Sequence, residues 1–213
     1  MLHDTILERK VTIKDLGVIL TSNLSPDLHI DSVCTRSSKL LGFIIRASRD
    51  GINIEALRIL YTSLVRPVLE YASVVWSPYQ TGHKDRLEKI QRRFIKIIGV
   101  KLGFNYSTVP IDDVANYLKL TPLEERRKMI DALFLKRLLT NMIDCPELLD
   151  LITFRIPTAT RTQELFHRHQ CSTSYGFHSP VPRLHRQGNT LTQHHDYDFF
   201  NDSDSALKRI FSN

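Results

Sequence analysis

Basic side chains are concentrated between residues 84 and 98 of this 213-residue chain. The segment holds two acidic residues, Asp85 and Glu88, and six basic ones: Lys84, Arg86, Lys89, Arg92, Arg93 and Lys96. Its surplus of four positive charges is most of the net charge of +6 of the whole chain. Such a concentration is typical of a surface that contacts phosphates. A charged helix face that meets only solvent has the same composition, so both interpretations stay open at this point.

A helix over residues 84–98 would separate its apolar and basic side chains. At about 100° per residue, the apolar set falls between about 220° and 320° from Lys84, and five of the basic residues fall between about 80° and 200°. The apolar set is Leu87, Ile90, Phe94, Ile97 and Ile98. The pattern predicts that one face packs inward and that its neighbour forms a cationic ridge.

Paired carboxylates are a second candidate for chemistry, since two aspartates can hold the metal ions of a phosphoryl-transfer site. The chain has one Asp-Asp pair, Asp112 and Asp113, which follows Pro110 and precedes a helical pattern. Acidic side chains interact favourably with the positive end of a helix dipole. A helix N-terminus is therefore predicted here, and a metal site is not.

The elements that position these residues are predicted to be mainly helical. Two short strands are expected over residues 5–10 and 11–21, with a bulge or a close backbone approach at Gly17. The helices predicted from apolar periodicity, caps and prolines are 25–47, 53–66, a kinked or new helix from Pro67 to about Trp76, 83–98 closed by Gly99, 121–142, 147–151 and 205–211. Residues 158–193 show no sustained period and are predicted to be extended or loop.

Composition excludes several classes of protein. Hydrophobic residues make up 42% and charged residues 24%, which are globular values rather than those of a disordered or fibrous chain. The three cysteines are too few and too scattered for a disulfide framework. The start of the chain has no signal-peptide pattern, and the most apolar stretch, residues 57–76, contains three charges and a proline. An intracellular protein, nuclear or cytoplasmic and neither secreted nor bound to a membrane, is expected.

The order of several motifs carries a resemblance to a known family. The motifs are IKDLGVILTSNLSPDLHI, SSKLLGFIIRAS, LRILYTSLVRPVLEYASVVWSPY, RLEKIQRRFIKIIG, LTPLEERRKMIDALFLKRLLTNMIDCPELL, RTQELF, TSYGFHSPVPRL and the final DYDFF. In this order they resemble the region that follows the palm in reverse transcriptases of non-LTR retrotransposons, the jockey-like group in particular. The resemblance covers nearly the whole chain.

The resemblance implies a role for Leu16, Gly17 and Val18. They correspond to the hairpin that follows the polymerase palm and holds the primer end, the primer grip. A glycine would let the backbone come close to a sugar-phosphate, where a side chain would block the approach. A glycine at a β-bulge without a ligand is the alternative.

The resemblance also implies four regions. Residues 1–24 would be a primer-grip-like hairpin, 25–104 a helical thumb-like domain, 105–156 a post-thumb helical segment, and 157–213 a loop-rich segment with a short terminal helix. A thumb lies against the template–primer duplex, so the basic residues from Lys84 to Lys96 are interpreted as phosphate contacts. Catalytic residues are not predicted in this chain, because the Ala-Asp-Asp hairpin of the family would precede the primer grip.

The function expected from these features is binding without catalysis. The chain is predicted to be the C-terminal part of an RNA-directed DNA polymerase that lacks the palm aspartates and is inactive alone. Its partner would be RNA or an RNA–DNA duplex, bound without sequence preference. No cofactor is expected, since Mg²⁺ would belong to the missing palm. The alternative is a helical interaction or adaptor protein, derived from a retroelement, that does not bind nucleic acid.

Histidines form the last candidate site. Six of the nine lie in a short segment with Cys171: His167, His169, His178, His185, His194 and His195. His and Cys side chains can bind zinc, but the paired spacings of zinc sites are missing here. No metal is therefore predicted, and a loop that lies on RNA is the preferred interpretation of residues 167–195.

Overall fold

A short hairpin precedes a series of helices in the structure, a computed structural model that describes residues 9–48, 51–156 and 164–211. The elements are β1 (Thr12–Asp15), β2 (Val18–Thr21), α1 (Asp27–Ser48), α2 (Ile54–Leu60), a π-helical turn (Tyr61–Val65), α3 (Arg66–Glu70), α4 (Ser73–Trp76), α5 (Thr81–Lys101), α6 (Ile111–Tyr117), α7 (Leu123–Leu139), α8 (Pro146–Leu149), α9 (Ser174–His178), α10 (Pro180–His195) and α11 (Asp204–Ile210). The predicted class, mainly α with a short N-terminal hairpin, is confirmed.

The hairpin occupies part of the segment that was predicted to be one strand. Strands β1 and β2 are antiparallel, and the register pairs Thr12 with Thr21 and Asp15 with Val18. Leu16 and Gly17 form the two-residue turn, with φ angles of 44° and 88°. Two positive φ angles are typical of the type I′ turn, which matches the twist of the strands. The bulge predicted at Gly17 is therefore wrong. Of the other predicted strand, residues 5–8 lie outside the described part, and Arg9 and Lys10 are not in a strand.

Helix α1 is the central element of the first half of the chain. It packs against β2, the π-helical turn, α3 and α5. Its buried apolar side chains, Ile30, Val33, Leu41 and Ile44, recur at helical spacing. The predicted start at residues 25–26 is two residues early, because Ser25 lies outside the helix and its hydroxyl accepts a hydrogen bond from the Asp27 backbone N–H.

Pro67 lies within a nearly continuous run of helix that extends from α2 through the π-helical turn to α3. The Asn53 side chain caps α2 by accepting a hydrogen bond of 2.8 Å from the Ala56 N–H. The π-helical turn comes directly before α3, where Pro67 occupies the first turn. A proline is tolerated there because its missing N–H has no partner in the first turn. The predicted continuation to Trp76 is interrupted at Ala72, whose φ is 52°, and α4 follows.

Helix α5 extends further than predicted at both ends. Gly99 does not end it, since the helix runs on to Lys101 and Gly103 follows with a φ of 97°. A Cβ atom at Gly99 would clash with the Val109 side chain. The glycine is therefore explained by the close approach of the Val109 segment.

The C-terminal part of the chain contains a helix where an extended segment was predicted. Helix α10 covers Pro180–His195, and α9 precedes it, whereas residues 157–163 lie outside the described part. Buried side chains of this region form a core: Ala132, Leu135, Leu138, Ile152, Phe166, Leu184, Leu191, Tyr197, Phe199 and Leu207. Gly188 of α10 faces the Phe166 ring, and the Asn189 side chain bonds to the N–H and the carbonyl of Phe166 at 2.8 and 2.9 Å. These tertiary contacts stabilise α10, whose sequence has a low intrinsic propensity to form a helix.

The chain divides into two compact units. The first consists of Met1–Ala72 and Gln80–Val114, and the second of Ser73–Tyr79 and Ala115–Asn213. Cys34, Cys145 and Cys171 are free thiols. None of the helices in the described ranges combines the length and the hydropathy that a membrane span requires.

Candidate nucleic-acid interface

The buried face of α5 fixes the direction in which its basic side chains point. Leu87, Ile90, Phe94 and Ile98 are buried, as the periodicity predicted, and Ile97 is half-buried. Burial of four apolar residues at helical spacing gives the helix a strong preference for one orientation about its axis.

Tyr61 of the π-helical turn anchors this orientation from the neighbouring element. Its ring stacks on Phe94 with a centroid separation of 4.3 Å and an interplanar angle of 8°. Its hydroxyl donates a hydrogen bond of 3.0 Å to Oε1 of Gln91, which is also buried. A buried polar contact of this kind is costly to leave unmade, so it opposes rotation of α5.

Three basic residues form the outward part of the basic face. Lys89, Arg92 and Arg93 are exposed and stand at positions i, i+3 and i+4, so their side chains are neighbours on the helix surface. None of the three forms a hydrogen bond or ion pair with any residue in the described ranges. Their charges are therefore available to an external anion.

The other basic residues of the helix are partly engaged. Arg86 forms an ion pair with Asp31 of α1, and the hydrogen bond to that carboxylate raises the pKa of the Arg86 guanidinium. Lys96 is half-buried, with its Nζ 5.0 Å from the centre of the Tyr106 ring. Lys84 is also half-buried. The predicted set of six therefore separates into three exposed cations without a partner in the described ranges and three that interact with other residues of the chain.

The groove between α1 and α5 adds a residue that the sequence reasoning missed. Asp31, Cys34, Thr35, Ser38 and Lys39 of α1 line an open groove together with Arg86. Lys39 is exposed and contributes a further positive charge beside α5. The sequence of α1 shows a polar face that contains Lys39. It does not show that α1 packs beside α5, so Lys39 could not be assigned to the basic surface.

The primer-grip-like residues lie at the turn of the hairpin. Leu16 is 83% exposed, whereas Val18 is buried at the start of β2. The Tyr71 hydroxyl donates a hydrogen bond of 2.9 Å to the Leu16 carbonyl, and a Cβ atom on Gly17 would lie 3.5 Å from the Tyr71 ring. Glycine is required here by the φ of 88°, whatever the turn contacts.

The acidic pair lies in the first turn of α6. Asp112 and Asp113 are exposed there, which confirms the predicted helix N-terminus. No group of three or more His, Cys, Asp or Glu side chains that could hold a metal ion occurs among the residues that the structure describes.

Three of the clustered histidines come together in the second unit. The His185 ring lies between the rings of Phe166 and His169, with centroid separations of 5.4 and 4.8 Å. Its Nδ1 is 3.1 Å from the carbonyl oxygen of His167, and burial lowers the pKa of the imidazole. His178 stacks on Tyr79, whereas His194 and His195 are exposed at the end of α10.

A buried ion pair in the second unit was also missed. Asp131 of α7 accepts two hydrogen bonds from Arg183 of α10, at 2.8 and 3.3 Å, and Arg127 is buried nearby on α7. Burial raises the pKa of the Asp131 carboxyl, and the Arg183 charge opposes the shift. The partners are 52 residues apart in a chain where α10 was not predicted, so no local signal pointed to the pair.

Comparison of the chain with protein-family models, with curated proteins and with solved structures finds no match. The function of α5 therefore has to be inferred from its own charge and geometry.

Proposed function

We propose that α5 binds the phosphate backbone of a nucleic-acid duplex without sequence preference. The observation that carries the proposal is the group of exposed cations at Lys89, Arg92 and Arg93, which have no acidic partner in the described ranges. On a rigid helix such a group meets a polyanion without first breaking internal ion pairs.

The sequence resemblance extends the proposal to the identity of the duplex. In a reverse transcriptase thumb, the bound duplex would be RNA or an RNA–DNA hybrid, and the hairpin at Leu16 and Gly17 would act as a primer grip. Both the hairpin and α5 pack on α1, so one element would hold the two contact surfaces. We propose that the chain is the primer-grip, thumb and post-thumb region of a non-LTR retrotransposon polymerase.

The test measures the affinity of the folded chain for labelled duplexes of about 20 base pairs by fluorescence anisotropy. RNA–DNA hybrids of two unrelated sequences should bind equally, because phosphate contacts carry no sequence information. The variant K89Q/R92Q/R93Q should bind more weakly than the wild-type chain at 50 mM salt. The control R9Q/K119Q/R209Q removes the same number of Lys and Arg charges from exposed positions outside α5 and should bind nearly as well as the wild-type chain.

Two results would contradict the proposal. Equal loss of affinity in both triple variants would show that net charge, and not α5, determines binding. Absence of binding by the folded wild-type chain at low salt would favour the interaction or adaptor function.

A further inference from the structure

One face of α10 lines a cavity of about 270 Å³ within the second unit. The lining residues of α10 recur every three or four positions: Pro182, His185, Arg186, Asn189, Thr190 and Gln193. The opposite walls come from Phe177 of α9 and from the segment that contains Glu164, His167, Arg168 and His169. The cavity is slightly smaller than the sites that hold drug-sized molecules.

Arg186 provides a positive charge without a counter-ion in the described part of this cavity. Its guanidinium lies 3.7 Å from the centre of the Phe177 ring, and Nη1 donates a hydrogen bond of 2.5 Å to the Phe177 carbonyl. Burial and the charge of Arg183 lower the pKa of the guanidinium. No carboxylate pairs with Arg186 among the described residues. A partly desolvated cation without a counter-ion is stabilised by a bound anion.

The other charged residues of the cavity do not repel a bound anion. Glu164 is the one carboxylate of the lining, and it accepts hydrogen bonds from Arg155 at 3.2 Å and from Arg168 at 2.6 Å. Two guanidinium groups therefore offset its charge. The Arg168 side chain is 71% exposed, so it retains further N–H groups for a ligand.

Two histidine nitrogens beside the cavity are also unsatisfied within the described residues. Nε2 of His169 and Nε2 of His185 are buried and have no hydrogen-bond partner there. His185 is 1% exposed as a residue, and its other ring nitrogen contacts the His167 carbonyl. Buried polar atoms of this kind are rare in folded proteins and point to a missing partner. Since Nδ1 of His185 donates to the carbonyl, Nε2 of the neutral ring is an acceptor, and its partner would be a ligand hydroxyl or a water.

We propose that this cavity binds a phosphate group. The guanidinium groups of Arg186 and Arg168 line it from two walls, which suits the several oxygens of a tetrahedral oxyanion better than the two of a carboxylate. The group could come from a free nucleoside monophosphate or from the phosphodiester backbone of a nucleic-acid strand. The proposal concerns the second unit and is independent of the duplex-binding role of α5.

The test follows the imidazole C–H signals of the full chain by NMR during titration with ligands. The probes are inorganic phosphate, adenosine 5′-monophosphate, a single-stranded oligonucleotide without terminal phosphates, and acetate. Phosphate should shift the signals of His167, His169 and His185 saturably, and acetate at the same ionic strength should not. Tighter binding of the monophosphate would identify a free nucleotide as the source, and tighter binding of the oligonucleotide would identify the backbone; either supports the site.

Variants locate the site on the cavity. R186Q should weaken phosphate binding by about tenfold or more, the effect of losing charge-assisted hydrogen bonds. R186K, which keeps the charge, should bind with an intermediate affinity, and R209Q, at an exposed position of α11, should bind like the wild-type chain. If R186Q does not fold, R168Q is tested in its place. In R168Q the Glu164 carboxylate keeps its hydrogen bond with Arg155, so the variant should fold. The proposal is overturned if the histidine signals of the wild-type chain do not saturate with any phosphate probe, or if acetate produces the same shifts.

Discussion

Helices α5 and α10 both carry basic side chains, but they present them differently. Helix α5 buries a mainly apolar face, in which Gln91 is the buried polar residue, and leaves Lys89, Arg92 and Arg93 in solvent. Helix α10 buries polar as well as apolar residues, and its two arginines are half-buried, Arg183 against Asp131 and Arg186 against Phe177. The difference separates two kinds of anion binding. Exposed cations suit a polyanion that approaches through solvent, whereas a half-buried cation beside a cavity suits a small anionic group.

The largest expected effect tests the buried face of α5. Phe94 is 1% exposed and stacks on Tyr61, so Phe94→Ala should lower the free energy of unfolding by about 3–5 kcal/mol. The loss is the transfer free energy of the ring plus the cavity that it leaves. Urea denaturation measures it. The control is Val100→Ala on the same helix, where the side chain is exposed and the change should be within about 0.5 kcal/mol. Similar effects of the two substitutions would mean that α5 does not pack through Phe94.

The corresponding test of α10 concerns a polar side chain. Asn189→Ala leaves the N–H and the carbonyl of buried Phe166 without their partners, at a cost of about 1–3 kcal/mol for each group. The free energy of unfolding should therefore fall by about 2–6 kcal/mol in urea denaturation. Gln193→Ala, further along the same face and exposed, is the control and should have little effect. If Asn189→Ala leaves the free energy of unfolding unchanged, apolar contacts alone are sufficient to hold α10 in place.

The two helices also explain why one could be predicted and the other could not. The apolar residues of α5 recur at helical spacing, so its buried face was visible before any contact was known. Helix α10 begins with two prolines and contains Gly188, Thr190 and Thr192, which all have low helix propensity. Its stability depends on Phe166, more than twenty residues earlier in the chain. Contacts of that kind leave no local pattern in a sequence.

The smaller differences from prediction also depend on contacts or turns without a clear local pattern. The hairpin turn has Leu16 in a position that normally favours Asn or Gly, so the position of the chain reversal was hidden, and a bulge or a close backbone approach was predicted at Gly17. The six basic residues of α5 were found from the sequence, but their division into exposed and engaged groups depends on Asp31 of α1 and on Tyr106. The cavity beside α10 depends on a helix that was predicted to be loop.

A glycine substitution distinguishes tertiary packing from intrinsic propensity on α10. Alanine is favoured over glycine in a helix by about 0.8–1.0 kcal/mol. At Gly188, however, a Cβ atom would clash with the Phe166 ring, and overpacking costs about 1–3 kcal/mol. Gly188→Ala should therefore lower the melting temperature. Gly82→Ala in the first turn of α5 has open space around the new methyl group and should leave the melting temperature unchanged or raise it. A Gly188→Ala chain that is more stable than the wild type would contradict the packing of α10 on Phe166.

A pH effect of smaller size is expected from buried histidine in the second unit. Burial lowers the pKa of His185 below its ordinary value of 6.5; the hydrogen bond to the His167 carbonyl opposes this shift, and the charges of His169 and His167 add to it. Between the lowered pKa and 6.5 the unfolded chain binds more protons than the folded chain, so stability falls as the pH falls through this window. Urea midpoints at pH 7 and pH 5 measure the fall. The decrease in stability between pH 7 and pH 5 should be smaller in His185→Asn than in the wild-type chain. In His194→Gln it should equal that of the wild-type chain, because His194 is exposed. An unchanged fall in His185→Asn would assign the effect to other groups such as His29, whose pKa is also lowered by burial.

The role of α5 is tested most directly by a stepwise salt titration. The slope of log K against log salt concentration is measured for one RNA–DNA hybrid with the wild-type chain, R92Q, R92Q/R93Q and K89Q/R92Q/R93Q. If each side chain contacts a phosphate, the magnitude of the slope should decrease by up to about 0.9 at each step, and by up to about 2.7 over the series. The control R9Q/K119Q/R209Q should keep the slope of the wild-type chain. A slope that stays constant through the α5 series, in chains that remain folded, would contradict phosphate binding by this helix.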